Sequence, residues 1–455
     1  MDGSQVYNWD GTMTTFSPQP NNAKDYFERQ FTVDNTLSFS GGNESTTFRL
    51  SLQDMRNQSM LPTHEMTRQG INLRASHQVS DRLTAEGKVN YIRQEVHNRP
   101  ALADDQENVM YQFRGMPRNT QLSNLRDYTI GLNEQLVGYS EDINQEGFPR
   151  HWSNATHTEQ PYWIVNNIIN EDTRERVMGF VRVNYDFTDW LSAQVRAETD
   201  FYVDKWHNHA AIGTRTPGQG DGTLGDQVHR FREDNAEFLL TGERSVTDNL
   251  TITANIGGNY KRDFFNNTNY SGEQLAVENL YVISNAQIQN TGYDLQETEI
   301  QSLYAFGQFN WRDFWYVDWS VRNDWASTLP SDNNSFAYPS IGTNFIFTDA
   351  FDMESDILSY GSVRANWAQA GSSADPYQLS GTYGLVANPH QGQPGAAFQD
   401  NIPFIDLQNE LTTSVEVGAD LRFFEGRLRV DGNWYSNSTI NQILIYSGLN
   451  GFWLF

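Results

Sequence analysis

Residues 172–204 read DTRERVMGFVRVNYDFTDWLSAQVRAETDFYVD, and this stretch decides the fold. Its first arm places Val177, Gly179, Val181, Val183, Tyr185 and Phe187 at alternate positions, with Arg182, Asn184 and Asp186 between them. A tight turn is predicted at Thr188 and Asp189. The second arm alternates again, with Leu191, Ala193, Val195, Ala197 and Phe201 set against Ser192, Gln194, Arg196, Glu198 and Asp200. Successive side chains of a strand point to opposite faces, so a period of two means β-structure. Each arm exceeds the usual five or six residues of a soluble sheet. Long arms with one apolar and one charged face suit a wall between hydrocarbon and water.

The bulk composition agrees. The chain of 455 residues has 38% hydrophobic residues and a mean hydropathy of -0.64, yet carries 12 Trp, 21 Tyr and 27 Phe. Such aromatic content argues against a disordered chain. No apolar run approaches the length of a membrane-spanning helix. A transmembrane β-barrel reconciles both facts, because only alternate residues need be apolar and aromatics collect at the two interfaces. A large soluble β-protein fits composition alone equally well. The net charge of -26 disfavours nucleic acid as a partner. There is no Cys, which excludes disulfides and thiolate chemistry. The first residues have neither the basic nor the apolar region of a signal peptide.

Outward from the opening hairpin, the chain is predicted to repeat it. Residues 1–26 read as a loop segment, and 27–455 as a partial barrel of about fourteen strands, taking strands and turns as the unit. Short turns are predicted at Gly41–Glu44, Ser80-Asp81, Thr188-Asp189, within 245–250, at Arg312-Asp313, near Asp352 and at Glu425-Gly426. Between them fall long connections near 98–171, 271–293 and 372–409, with a short helix predicted near 104–113. Aliphatic or aromatic residues flank the short turns, among them Leu83, Phe187, Trp190, Leu250, Phe314, Trp315, Phe347, Phe351, Phe423 and Phe424. Unequal alternation of short turns and long loops with aromatic girdles marks an outer-membrane barrel. Val181, Val183, Val195, Ile252 and Val417 are expected to face lipid. Arg182, Arg196, Glu198, Arg322, Glu416 and Asp420 are expected to face the lumen or a plug.

Chemical motifs are weak by comparison. Gly220, Gly222 and Gly225 match the spacing of a dinucleotide-binding loop, but within a loop between antiparallel strands rather than between a strand and a helix. His207 and His209 offer two imidazoles without a third close ligand. Asp104, Asp105 and Glu107 lack the calcium-loop spacing. No nucleophile elbow is present, no two carboxylates stand out as a glycosidase pair, and no catalytic residue, metal or cofactor is expected. The aromatic residues of the long connections are the candidate contacts for a substrate or a capping partner: Trp152, Tyr162, Trp163, Tyr281, Tyr377 and Tyr383. Their rings offer flat apolar faces with a polar handle. The competing reading is that they pack the loops together.

Several stretches resemble the SusC/RagA family of TonB-linked outer-membrane transporters. These are 27–62, with its SGGNE turn; 159–167, with Pro161, Tyr162 and Trp163; 321–349, from Arg322-Asn323-Asp324-Trp325 to Tyr338-Pro339-Ser340; and 409–444. Gln160 stands where the family more often has Asn. The resemblance implies a barrel of about 22 strands around an N-terminal plug. It also implies a SusD-like surface lipoprotein as partner, oligosaccharide or peptide cargo, and import across the bacterial outer membrane driven by the TonB complex. This chain has no plug or TonB box before residue 27, so it is expected to supply barrel wall and extracellular loops only. A soluble or surface-attached glycan-binding module or glycosidase, and a passive porin or adhesin barrel, are the alternative readings.

Overall fold

The computed structural model describes residues 5–7, 13–131, 145–150, 158–216, 220–385, 393, 395–398 and 403–443. Two short hairpins stand apart, β1 (Gln5–Tyr7) with β2 (Met13–Thr15) and β15 (Tyr383–Leu385) with β16 (Ala396–Phe398). The other fourteen strands form one antiparallel sheet in which each pairs with its sequence neighbour. They are β3 (Phe31–Gly42), β4 (Thr46–Gln58), β5 (Glu65–Ser80), β6 (Leu83–His97), β7 (Ile168–Thr188), β8 (Leu191–Ala210), β9 (Thr223–Thr247), β10 (Leu250–Leu275), β11 (Ala286–Trp311), β12 (Trp315–Ala326), β13 (Ser335–Ile346), β14 (Leu358–Ser372), β17 (Glu410–Phe423) and β18 (Leu428–Ile440). No helix among the described residues is long and apolar enough to cross a membrane.

The register shows why the alternation matters. Partners across an antiparallel ladder share a face. One row therefore runs Ile252–Phe309–Val317–Thr343–Ala365–Val417–Trp434 across seven strands. Another joins Ala85, Val183, Val195 and Phe238. All five positions expected to face lipid lie on this apolar face. Val181 is 61% exposed and Val195 60% exposed, too much apolar area for a face turned to water. Arg182, Arg196, Glu198, Arg322, Glu416 and Asp420 fall on the opposite face. That face is crowded: Glu86, Asp204, Asn255, Ser302, Asp324, Ser362 and Asp420 are all buried there. Crowding of one face at the expense of the other is what curling toward the polar side produces.

Buried charges on that face come as pairs. Glu86 accepts from Arg74 Nε at 2.7 Å and from Arg182. Arg174 Nε meets Asp204 Oδ1 at 2.6 Å, Arg176 Nε meets Asp200 Oδ1 at 2.8 Å, and Asp420 bridges Arg422 and Arg429. A desolvated charge is tolerated only when so partnered.

The turns at one end are tight. Arg312 and Asp313 both have positive φ, 52° and 57°, as a two-residue hairpin turn of the twist-matching kind requires. Asn43 Oδ1 accepts from the backbone of Ser45 and Thr46, closing the turn after Gly42. Trp190, Trp311 and Trp315 lie exposed at this end.

At the other end the strands outrun expectation. β10 and β11 each hold 26 residues, roughly 85 Å at the rise of a strand. A membrane needs only ~9–11 residues per strand. The predicted connection at 271–293 thus shrinks to 276–285, and Tyr270 and Tyr293 lie on strands. On the outward face of this extension the apolar residues give way to Asp234, Arg232, Arg262 and Glu297, with ion pairs Arg232–Asp234 at 2.8 Å and Arg262–Glu297 at 3.1 Å. The change marks where hydrocarbon ends on β9–β11.

Candidate functional site

Above that boundary, the polar face of β8–β10 carries an aromatic strip. Tyr202 and Phe231 are register partners with stacked rings 5.1 Å apart, and Phe231 is in turn partner to Phe265. Trp206 lies edge-on to His229 at 4.4 Å, and His229 lies 5.5 Å from Phe265. The strip is bordered by the Arg174–Asp204 and Arg176–Asp200 pairs, with the Arg174 guanidinium 5.0 Å from the Tyr202 ring centre. Strand alternation puts all five rings on one face, because their positions share a parity across the register. Flat apolar faces edged by paired charges can hold a sugar ring or a peptide side chain by stacking while hydrogen bonding its polar groups. No tight chemical signature marks these residues in the sequence; only the parity of the extended strands finds them.

The connection between β6 and β7 stands over this wall and has a core of its own. Its helices are α1 (Val109–Gly115) and α2 (Pro161–Asn167). The first begins later than the predicted 104–113, because Asn108 caps it by accepting from Met110 N, and 104–107 form the turn before it. Val109, Met116, Leu122, Leu125, Trp163, Ile164 and Val165 cluster with Tyr26 from the N-terminal segment and Ala210 and Ala211 from the end of β8. Gln160, fully buried, caps α2 through its carbonyl at Trp163 N (3.0 Å) and Tyr162 N, while its amide donates to Leu125 O. Proline at the first helical position suits that start, since its missing N–H is one the helix end would leave unpaired. Tyr26 Oη donates to Pro161 O at 2.8 Å, Thr63 Oγ1 to Val165 O at 2.7 Å and Asn98 Nδ2 to the same carbonyl at 2.8 Å. Three separate segments thereby hold the helix down.

Glu159 is 1% exposed. Its carboxyl accepts from Gln160 N at 3.0 Å and Arg215 N at 2.6 Å, and its own N–H donates to Gln112 Oε1 at 3.0 Å. Burial pushes its pKa up to about 7, against the pull of those backbone donors. The folded group thus holds its proton over a window, from the ordinary carboxylate range to about 7, in which the unfolded group has lost it. Stability contributed here is present at low pH and lost as pH rises through that window. The loop is expected to resist limited proteolysis better at pH 5 than at pH 8. Glu159→Gln should flatten that dependence; an unaltered pH profile in the variant would count against the assignment.

The six aromatic candidates separate. Trp163 is 2% exposed, its Nε1 donating to Thr214 Oγ1 at 3.0 Å, so it anchors the loop core. Tyr162 is half-buried, its ring 4.8 Å from Tyr26. Tyr281 stacks on His209 at 3.7 Å. Tyr377 is 62% and Tyr383 72% exposed; Tyr377 Oη accepts from Glu297 N, and Tyr383 packs edge-on to Phe398. Trp152 lies outside the described residues. The structure does not gather the six into one pocket.

The other motifs resolve locally. His207 and His209 sit near the end of β8, on its outward side. His207 Nδ1 is 2.9 Å from Asp226 Oδ1, and burial, then His207, pushes the His209 pKa down to about 4. Among the described residues no cluster of three His, Asp or Glu could hold a metal ion. Gly222 needs its positive φ of 78° to start β9, and β9, not a helix, follows it. The dinucleotide-loop geometry is thus lacking.

Residues 117–453 match a family model described as TonB dependent receptor-like, β-barrel. Among solved structures, the chain is similar to the RagAB peptide importer in its closed-closed state, with TM-score 0.72 and 17% identity over 96% of this chain and 47% of that one. It is similar to another structure of the RagAB peptide transporter, with TM-score 0.70 and 17% identity over 90% and 44%. A more distant similarity is to the ferric-catecholate import receptor Fiu from E. coli K12, closed form, with TM-score 0.52 and 11% identity over 94% and 60%. The chain thus spans less than half the length of the RagAB chains it matches. No curated protein matches the sequence.

Proposed function

The chain belongs to the TonB-dependent receptor β-barrel family of bacterial outer-membrane proteins, and from that premise we propose that it forms wall and extracellular loops of an importer for oligosaccharides or peptides. The family consists of receptors rather than enzymes, and the soluble glycosidase alternative falls with it. The observation that carries the proposal is the aromatic strip Tyr202, Trp206, His229, Phe231 and Phe265 on the polar face, edged by paired charges and placed past the apolar belt. On this reading cargo entering from the long-loop end passes over it after the loops. RagAB, a peptide importer, shares the fold, which supports peptides within the two cargo classes.

The resemblance of 27–62 and 321–349 to SusC/RagA proteins supports a SusD-like lipoprotein as the cap and the TonB complex as the energy source, acting through a plug. The self-packed 98–167 loop is the proposed platform for that cap. Exposed Tyr377 and Tyr383 are proposed contacts for cap or cargo, with Trp152 as a further candidate; Tyr162, Trp163 and Tyr281 pack within the 98–167 and 276–285 connections.

In cells expressing the full-length protein, the double variant Trp206→Ala, Phe231→Ala should lower uptake about tenfold, as each lost stacking contact is worth roughly 0.5–1.5 kcal/mol beyond area. Barrel amounts in the membrane should not change. Uptake of both peptides and oligosaccharides at the parent rate would sink the proposal.

A further inference from the structure

The upper half of β11 has a strand on one side only. Its ladder with β10 keeps one register from Trp311 to Ile288, but its ladder with β12 stops at Ile300, opposite Ala326. Successive residues of an antiparallel strand turn their N–H and C=O groups to one neighbour and then the other. Glu299 turns away from β10: its N–H donates to Ser327 Oγ and its carbonyl accepts from Ser327 N, both at 2.9 Å. Glu297 does the same, its N–H donating to Tyr377 Oη at 3.2 Å. By that alternation Leu295, Tyr293, Thr291 and Gln289 present their backbone groups to the same side, where no described strand pairs with them. All four are exposed. Proteins blunt such edges with lysine, proline or a bulge, because an open edge recruits another chain. Residues 286–299 contain no Lys, Arg or Pro.

Two features identify the strand this edge receives. The first is position. Tyr202, Phe231, Phe265 and Gln296 form one row of the polar face. A strand added beside β11 is next in that row, about 4.8 Å on, so its inward side chains extend the face that carries the aromatic strip. The second is charge. The segment holds Asp294, Glu297 and Glu299 without a cation of its own. Arg262 serves Glu297, whereas Asp294 accepts from the neutral Gln296 amide at 3.0 Å. A second copy of the chain would bring the same acids to the edge. A basic peptide meets them with opposite charge, and its backbone offers donors and acceptors at strand spacing, which a sugar chain lacks.

We infer that the 289–297 edge binds cargo peptides as an added strand, backbone to backbone, with basic side chains favoured beside Asp294. The inference rests on the peptide half of the cargo proposed above and says where the peptide's main chain is held.

The test uses the full-length protein in detergent and a short fluorescent peptide of alternating Thr and Lys. The peptide should bind the parent protein. Leu295→Pro removes one N–H from the open edge and none from the ladder with β10, and should weaken binding about tenfold, the scale of one carbonyl left without its donor. The conservative Leu295→Val keeps the N–H and should retain tight binding. The same peptide N-methylated throughout should bind the parent at least about tenfold more weakly, which decides the matter should Leu295→Pro fail to insert. No binding by the parent would overturn the inference. So would equal binding of the methylated and unmethylated peptides, or of Leu295→Pro and the parent. If the edge passes while uptake by the Trp206→Ala, Phe231→Ala variant stays at the parent rate, the edge stands and the strip falls. The converse result keeps the importer reading and removes the edge.

Discussion

Arginine in place of Val183 is expected to cost about 2–4 kcal/mol of insertion, the range for a cation on the lipid side of a barrel at mid-membrane. That is roughly a 30- to 700-fold shift at 1.4 kcal/mol per decade. Val183 sits in the middle of the outward belt, with Ala85 and Val195 across the ladder and Val181 and Tyr185 along the strand. An arginine there has no acid within its row. The neighbouring position makes the control. Arg182 is one residue away, on the polar face, and is paired with Glu86. Identical chemistry is thus tolerated on one side of the pleat and excluded from the other. Urea extraction of membranes and the gel mobility shift of the folded barrel measure the effect. Val183→Arg inserting as well as the parent would show that this face does not meet hydrocarbon.

How much of this was legible follows from where the two faces of a strand differ in solvent. In 172–204 one face meets lipid and the other does not, so apolar and polar residues alternate and the hairpin can be read directly. The predicted turn at Thr188-Asp189 falls one residue early, since β7 runs through Thr188 and β8 starts at Leu191. Past the belt both faces of the strand are wet. Residues 271–275 read SGEQL, with no alternation to see, and fall in the connection predicted at 271–293 although the ladder continues to Leu275. The aromatic strip was missed for the same reason: Trp206, His229 and Phe265 lie on segments whose strand character the sequence conceals. The loop core was hidden for another. Tyr26, Leu61 and Trp163 are far apart in sequence, and no local period announces that they meet. Burial of Trp163 was the competing reading for each loop aromatic, and there the structure decides for packing.

That burial makes Trp163→Ala the most damaging single change expected outside the membrane. Truncating a fully buried Trp costs about 3–5 kcal/mol. Here it also strips the indole donor from Thr214, whose hydroxyl still donates to Ala211 O. The loss should be local. The Trp163 cluster draws on α1, α2, Tyr26 and the end of β8, whereas the ladder below is held by its own hydrogen bonds. Proteolysis within 98–167 should therefore accelerate severalfold or more while membrane insertion stays at the parent level. Trp163→Phe keeps most of the apolar volume and should cost about 1–3 kcal/mol, the scale of leaving one buried polar group short of a partner. Tyr162→Ala should fall below Trp163→Ala, because Tyr162 is already half in solvent. If all three variants are cleaved at the parent rate, the loop is not held by this core. If Trp163→Ala also fails to insert, then loop and wall fold as one unit, and the loop is part of the barrel's stability rather than a platform resting on it.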